Sequence, residues 1–159
     1  KMYVGLKPED RMVLFVGRIE PLKGVDTLIK AMSCLQLQEK QRVHLAIIGG
    51  EPDVDAEDMT AEMTRLQKLC DDLAVGHTVV FLGKRGQDTL PYYYSAAEAV
   101  VMPSLYESFG MVALEAMASG VPVVAVAAGG LTDIFSNPGT GLLYQPGDYA
   151  GRLWCVWTV

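Results

Sequence analysis

Short apolar runs recur along this chain, and segments with helical periodicity lie between them. The runs are rich in β-branched residues and too short for buried helices, which is typical of parallel strands that are buried on both faces. Strands alternating with helices favour an α/β protein with a doubly wound parallel sheet and right-handed crossovers. We expect strands at residues 12–16, 43–48, 79–82, 99–102 and 121–126, with a sixth at 141–144 left open, and helices at 25–35, 59–73, 90–97, 111–118 and 131–135.

The chain has 159 residues, which is enough for one domain with its own hydrophobic core. It begins at Lys1 rather than at a methionine and ends abruptly at Val159, so we expect a piece of a longer protein. The folded domain is expected at residues 11–148. Residues 149–159 have no clear periodicity and are expected to be irregular or truncated.

The net charge of −6 and the isoelectric point near 4.8 argue against nucleic acid as a partner, because phosphate backbones require a basic face. No apolar run approaches the roughly 20 residues of a transmembrane helix, and no signal peptide is recognisable. Cys34, Cys70 and Cys155 lack CxxC spacing, so reduced thiols are expected rather than disulfides or a zinc site. We expect a cytoplasmic protein, with peripheral contact with a membrane left open, and structural roles for His44 and His77.

Residues 103–120 have the strongest functional pattern, because they place two carboxylates in a strand–loop–helix unit. Their first half has the composition of a loop, and good helix formers from Met111 onwards end at Gly120. Glu107 is then in the loop at the carboxyl end of a strand, and Glu115 is in the following helix. Open α/β sheets bind ligands in the crevice outside these strand ends. Both glutamates are therefore candidates for ligand contact.

The segment after the first strand carries two cations, Arg18 and Lys23, just before a predicted helix. Amides at a helix amino end and nearby cations can together hold an anion. Two solvated surface charges are the alternative interpretation, since most lysines and arginines are exposed.

Four further sequence patterns bear on the function, and some of them have more than one interpretation. Gly129 and Gly130 permit an amide nest for an anion, a close backbone approach or a plain tight turn. The acidic residues at 51–58 lack the spacing of a calcium loop and are expected to be solvated. The three tyrosines at 92–94 are interpreted as helix residues of which some pack in the core and the rest face solvent, rather than as a ligand platform. The fingerprint GxGxxG is absent after the first strand, which disfavours a nicotinamide or flavin enzyme.

Six segments in order carry a resemblance to a known family: VGRIEPLKG, LAIIGG, FLGKR, PSLYESFGMVALEAMASGVPVVA, GGL and TGLL. Together they resemble the carboxyl-terminal, nucleotide-sugar-binding domain of the retaining group 1 (family 4) glycosyltransferases, over residues 12–143. Sucrose-phosphate synthases and glycosyltransferases acting on inositol phosphate are similar. The resemblance implies a Rossmann-like domain, the carboxyl-terminal half of a GT-B fold. It also implies that residues 1–10 end an interdomain connection from an amino-terminal domain that this chain lacks.

The resemblance assigns roles to four charged residues, which are then expected to converge on one cleft. Arg18 and Lys23 match the two cations that grip the donor's diphosphate. Glu107 matches the glutamate that faces the transferred sugar, and Glu115 matches the one that accepts hydrogen bonds from the ribose hydroxyls. Arg18, Lys23 and Glu107 are the expected catalytic residues.

The resemblance also implies contacts from neighbouring positions. Gly17 lets the chain pass close to the donor, and Arg85 lies where the family's backbone contacts the base. The backbone amides of the loop before the second glutamate lie near the sugar. The implied donor-binding residues of that loop are Ser108, Phe109, Gly110 and Met111.

The implied activity is transfer of a hexose from a nucleotide-diphosphate sugar, of the UDP-glucose type, to an acceptor sugar, sugar phosphate or lipid. No cofactor and no metal are expected, and Asp53 and Asp55, which have Asp-x-Asp spacing, lie away from the expected site. The isolated domain is expected to be inactive, because closure against the amino-terminal domain positions the acceptor. A non-catalytic nucleotide-binding fragment and another GT-B enzyme, such as a nucleotide-sugar epimerase, are the alternatives.

Overall fold

The computed structural model describes residues 4–36, 43–50, 60–135 and 141–146. The strands in these residues are β1 (Arg11–Val16), β2 (Val43–Ile48), β3 (Val79–Gly83), β4 (Ala99–Met102), β5 (Val123–Val126) and β6 (Leu142–Tyr144). The helices are α1 (Val25–Gln36), α2 (Ala61–Asp72), α3 (Leu90–Ala96), α4 (Met111–Ala118) and α5 (Leu131–Ile134). All six strands are parallel and form one sheet in the order β3-β2-β1-β4-β5-β6. The predicted doubly wound sheet is confirmed, including its sixth strand.

Two hydrophobic cores lie on opposite faces of this sheet. In β1, Val13 and Phe15 pack with α1 and α2, whereas Met12 and Leu14 pack with α3, α4 and α5. This alternation follows from the two-residue period of a strand. Because helices cover both faces, the strands are almost entirely apolar apart from Arg11 and His44, and every residue of β4 and β5 is buried.

The strand order reverses at β1, which pairs with β2 on one side and β4 on the other. From β1 the chain proceeds outward to β2 and β3, and it then returns to β4 and continues to β6. Loops that follow β1 and β4 therefore leave a crevice between them at the carboxyl edge of the sheet. In doubly wound sheets this switch point is where ligands bind.

The predicted strand boundaries agree with the structure to within one residue except at the start of β5. β5 begins at Val123, two residues later than expected. Gly120 has a φ of +73°, and the Val121 amide donates to the carbonyl of Ala116, so these residues close the end of α4. Pro122 has no amide hydrogen for the sheet ladder.

Several expectations concern residues at the margins of the described structure. The acidic segment at 51–58 and the tail at 149–159 lie outside the described residues. Val4 and Leu6 are buried against the core that contains α3 and α4, so the segment before β1 packs on the domain. Of the helices in the described ranges, none is both long and apolar enough to cross a bilayer.

The thiols differ in exposure, which gives a test of the fold. Cys34 is exposed, whereas Cys70 lies in the core, and burial, followed by the charge of Asp71, raises the pKa of its thiol to about 11. In a Cys155→Ser background at pH 8, we expect a maleimide reagent to label Cys34 at least about 100-fold faster than Cys70, because the thiolate is the reactive form. Labelling followed by mass spectrometry measures both rates. Equal rates in native protein would contradict the packing of α2.

Candidate active site

A cleft with a volume of about 210 Å³ lies at the switch point between β1 and β4. Its walls are the end of β1, the turn before α1, the segment after β4 and the first turn of α4. Of the residues predicted to bind the donor, the cleft brings together Gly17, Arg18, Lys23, Glu107, Ser108, Phe109, Gly110 and Met111. Arg85 and Glu115 do not line it.

An ion pair joins the two sides of this cleft. The Lys23 Nζ donates to Glu107 Oε2 over 2.8 Å, although the two residues are 84 positions apart in the sequence. Only 19% of the Lys23 side chain and 16% of the Glu107 side chain are exposed. A charge pair that is partly withdrawn from water interacts more strongly than one at the surface. The cleft therefore contains a fixed cation and a fixed carboxylate.

Arg18 occupies the rim of the cleft rather than its interior. Its side chain is 78% exposed, and its guanidinium lies 3.2 Å from Glu20 Oε1. Surface pairs of this kind hold a side chain weakly. Arg18 is thus free to swing towards an anion in the cleft, whereas Lys23 is already fixed there.

Backbone contacts hold the two loops in register. The Leu105 amide donates to the carbonyl of Leu22 over 2.9 Å, which ties the segment after β4 to the turn before α1. Gly24 has a φ of +68°, and a side chain there would collide with the carbonyl of Pro103. These contacts bring Lys23 within reach of Glu107.

Gly129 and Gly130, which follow β5, allow the backbone of the Glu107 loop to approach them closely. The Gly130 amide donates to the carbonyl of Glu107 over 3.0 Å. A Cβ on Gly129 would collide with that same carbonyl, and one on Gly130 would lie 2.5 Å from the carbonyl oxygen of Ser108. Of the alternatives left open by the sequence, the structure selects this one. The two glycines thus pack against the backbone of the loop that carries Glu107.

The amino end of α4 opens into the cleft. Gly110, at the N-cap position, has a φ of +73°, and no side chain caps the helix there. A Cβ on Gly110 would come within 3 Å of Leu131 and Ile134, so the helix start sits directly on α5. Uncapped amides and the helix dipole at this end favour a negatively charged ligand.

Glu115 lies one turn further along α4 and is engaged from another direction. The hydroxyl of Tyr94 donates to Glu115 Oε2 over 2.7 Å. Tyr94 is almost completely buried in α3. Burial, and secondarily this hydrogen bond, raise the pKa of Tyr94 well above its ordinary value. Glu115 is not among the residues that line the cleft, so its membership of the same site stays a prediction.

Arg85 is also held by α3. Its Nε donates to the hydroxyl of Tyr93 over 3.0 Å, and its Nη1 donates to the carbonyl of Lys84 over 2.9 Å. It lies in the loop after β3, at the same edge of the sheet but outside the cleft lining. Two neighbouring tyrosines thus hold two of the predicted site residues.

Sequence reasoning missed Ser104, Tyr93 and Tyr94. Ser104 is 2% exposed and lines the cleft directly after β4. Tyr93 and Tyr94 are buried as expected while Tyr92 is exposed, but their hydroxyl partners were not anticipated. A usable signal existed, because a buried tyrosine normally finds a hydrogen-bond partner for its hydroxyl.

Comparison with known proteins gives a consistent result. The family model of the group 1 glycosyl transferases matches residues 3–151. A D-inositol 3-phosphate glycosyltransferase of Catenulispora acidiphila is 40% identical over an alignment of 153 positions, which covers 92% of this chain and 35% of that protein. The chain therefore spans about a third of the length of this relative.

Solved structures extend the comparison to the fold. The sucrose-phosphate synthase of Thermosynechococcus elongatus superposes with a TM-score of 0.84 at 37% identity, over 99% of this chain and 38% of that one. The Anabaena protein HepE, in complex with UDP-glucose, gives 0.78 at 29% identity, over 94% of this chain and 38% of that one. The chain matches the carboxyl-terminal halves of such GT-B enzymes. By sequence and by fold, the chain belongs to the group 1 glycosyltransferases.

Proposed function

We propose that this chain is the donor-binding domain of a retaining glycosyltransferase that transfers a hexose from a nucleotide-diphosphate sugar to an acceptor hydroxyl. The observation that carries the proposal is the cleft that joins Lys23, Glu107 and the open amino end of α4. UDP-glucose bound to the Anabaena relative supports a uridine donor of this type.

The diphosphate is the proposed ligand of the cations. Breaking the bond between sugar and phosphate leaves a diphosphate whose negative charge grows in the transition state. Lys23 would then exchange Glu107 for a phosphate oxygen, and Arg18 would swing in from the rim. An electrostatic group fixed where charge develops contributes about 10²–10³ in rate. These cations supply the charge that a metal ion would otherwise provide.

The two carboxylates have different proposed roles. Glu107, released from Lys23, faces the transferred sugar and accepts hydrogen bonds from its hydroxyls. Glu115 lies further along α4, on the nucleoside side of the diphosphate, and accepts from the ribose. A carboxylate suits both tasks, because each of its oxygens can accept more than one hydrogen bond.

The acceptor site is proposed to require an amino-terminal domain. Five large apolar side chains, each more than half exposed, either line the cleft or adjoin a lining residue in sequence: Leu22, Leu105, Tyr106, Phe109 and Met111. Exposed apolar patches of this kind mark interaction surfaces. A second domain that closes on them would exclude water and position the acceptor. A cytoplasmic location belongs to the same proposal, since the exposed Cys34 is a free thiol.

Thermal shift against a donor panel tests the proposed ligand. The panel contains uridine, adenosine and guanosine diphosphates and their glucose conjugates, with inorganic phosphate as the control. At 100 times its dissociation constant a ligand stabilises the fold by about 2.7 kcal/mol. For a domain of this size that corresponds to roughly 5–10 °C in melting temperature. We expect the uridine compounds to give the largest shift. No shift with any nucleotide would contradict donor binding.

Measuring turnover of the donor with and without an acceptor distinguishes sugar transfer from epimerisation and from binding without catalysis. A chain that includes the amino-terminal domain should release the nucleoside diphosphate only when an acceptor is present. Conversion of the donor sugar without an acceptor would favour a nucleotide-sugar epimerase. Nucleotide binding without any turnover would favour a non-catalytic binding module.

A further inference from the structure

The hydrogen bond between Tyr94 and Glu115 links two helices beside the donor cleft. Tyr94 belongs to α3 and is 1% exposed, and its ring lies in the same core as Ala113 and Ala116 of α4. Its hydroxyl reaches the Glu115 carboxylate over 2.7 Å. A packed ring leaves the hydroxyl little freedom of position. The buried tyrosine therefore fixes one oxygen of a partly exposed carboxylate.

The position of Glu115 on α4 relates this contact to the cleft. Met111 lines the cleft, and Glu115 follows it by four residues, which places both on one face of the helix. The separation along the helix axis is about 6 Å, at 1.5 Å per residue. A nucleoside attached to a diphosphate in the cleft can extend over this distance. Glu115 thus lies beside the cleft, where a ribose would follow the phosphates.

We propose that Tyr94 is a positioning residue that holds the Glu115 carboxylate ready to accept hydrogen bonds from the ribose hydroxyls of the donor. The inference rests on the proposed function. Tyr94 itself touches no substrate and acts only through Glu115. It makes the site selective for ribonucleotides over deoxyribonucleotides.

Chemistry and entropy both support this arrangement. An ionised carboxylate has about four acceptor positions, so a single tyrosine hydroxyl leaves several for a pair of vicinal hydroxyls. Without the tyrosine, the glutamate side chain would sample several rotamers, and ribose binding would have to order it. Tyr94 remains protonated at neutral pH and so stays a donor. The fixed carboxylate is preorganised for the sugar.

The test compares nucleotides that differ by one hydroxyl. Calorimetry on the full chain measures the dissociation constants of uridine diphosphate and of its 2′-deoxy and 3′-deoxy analogues. For the wild type we expect a ribose preference of about tenfold, the equivalent of one hydrogen bond. Tyr94→Phe should reduce this preference to about threefold or less. A ratio of affinities is the right measurement, because any loss of folded protein affects both nucleotides equally.

Tyr93→Phe is the matched control. It removes a hydroxyl from the neighbouring position of the same helix, where the partner is Arg85 instead of Glu115. Its affinities for all three nucleotides are expected to change together, so the ribose preference should stay at the wild-type value. Glu115→Ala supplies the lower limit, with the preference abolished.

The outcomes separate the inference from the proposed function. If Glu115→Ala abolishes the preference and Tyr94→Phe retains it in full, the positioning role is wrong while donor binding stands. A wild type that binds the ribonucleotide and its deoxy analogues equally would remove the ribose role of Glu115, and the inference with it. Failure of the wild type to bind uridine, adenosine or guanosine diphosphate would overturn both.

Discussion

Replacing Lys23 with alanine is expected to weaken nucleoside diphosphate binding by at least tenfold and to slow sugar transfer by about 10²–10³. The lysine side chain is 19% exposed and is held in the cleft by Glu107, so its charge is poorly screened by solvent. A hydrogen bond from such a cation to a phosphate oxygen contributes roughly 1.5–3 kcal/mol. Calorimetric titration with uridine diphosphate measures the loss.

Two variants test whether the effect arises from the diphosphate contact. Lys30→Ala removes a lysine from the surface of α1, where it pairs with Asp26 over 3.2 Å, and should leave affinity unchanged. Glu107→Gln removes the internal competitor of Lys23, so it should retain or increase diphosphate affinity while slowing transfer. If Glu107→Gln weakens the diphosphate as much as Lys23→Ala does, the ion pair, and not the cation, would be the essential feature. Unchanged affinity in a folded Lys23→Ala protein would exclude the proposed diphosphate contact.

Gly129→Ala is expected to lower the free energy of unfolding by about 2–4 kcal/mol and to weaken nucleotide binding. The residue has a φ of +54°, which costs an alanine about 1 kcal/mol, and its new Cβ would meet the carbonyl of Glu107. Relief of that collision requires backbone movement, which adds about 1–3 kcal/mol. The part that moves is the loop that carries Glu107. Urea denaturation and calorimetry measure the two effects.

Gly120→Ala separates backbone strain from collision. Gly120 also has a positive φ, of +73°, but a Cβ there would meet no atom within 4 Å. We expect a loss of about 1 kcal/mol from the strained conformation alone, with nucleotide affinity unchanged. Equal effects of the two substitutions would argue that the contact between Gly129 and the Glu107 loop is unimportant.

The sheet was predictable because its signals are local. The run 99–102 is apolar throughout and 43–48 is apolar except for His44, since helices cover both faces, and their boundaries coincide with β4 and β2. The placement of Glu107 after β4 follows from the same local pattern. At β5 the local signal was misleading, because Val121 continues the apolar run but its amide is used by the end of α4.

The details of the site depend on contacts that no local pattern encodes. Lys23 and Glu107 meet because β1 and β4 are neighbours in the sheet, which is a property of the topology. Glu115 turns towards Tyr94 because α3 packs beside α4, and nothing in the sequence around either residue indicates that partner. The exposure of Arg18 likewise depends on the path of the loop after β1, which the local sequence does not determine.

The salt bridge between Lys23 and Glu107 affects how readily small anions, which are abundant in cells, can bind in the cleft. A free orthophosphate ion that approached Lys23 would have to displace a carboxylate that is already in place. It would gain one contact in exchange for another and would bring no nucleoside to occupy the neighbouring surface. A nucleotide sugar, the proposed donor, would add the contacts of its base, ribose and hexose to the same exchange. If the proposed function holds, the Lys23–Glu107 ion pair would therefore favour ligands that make several contacts at once over free phosphate.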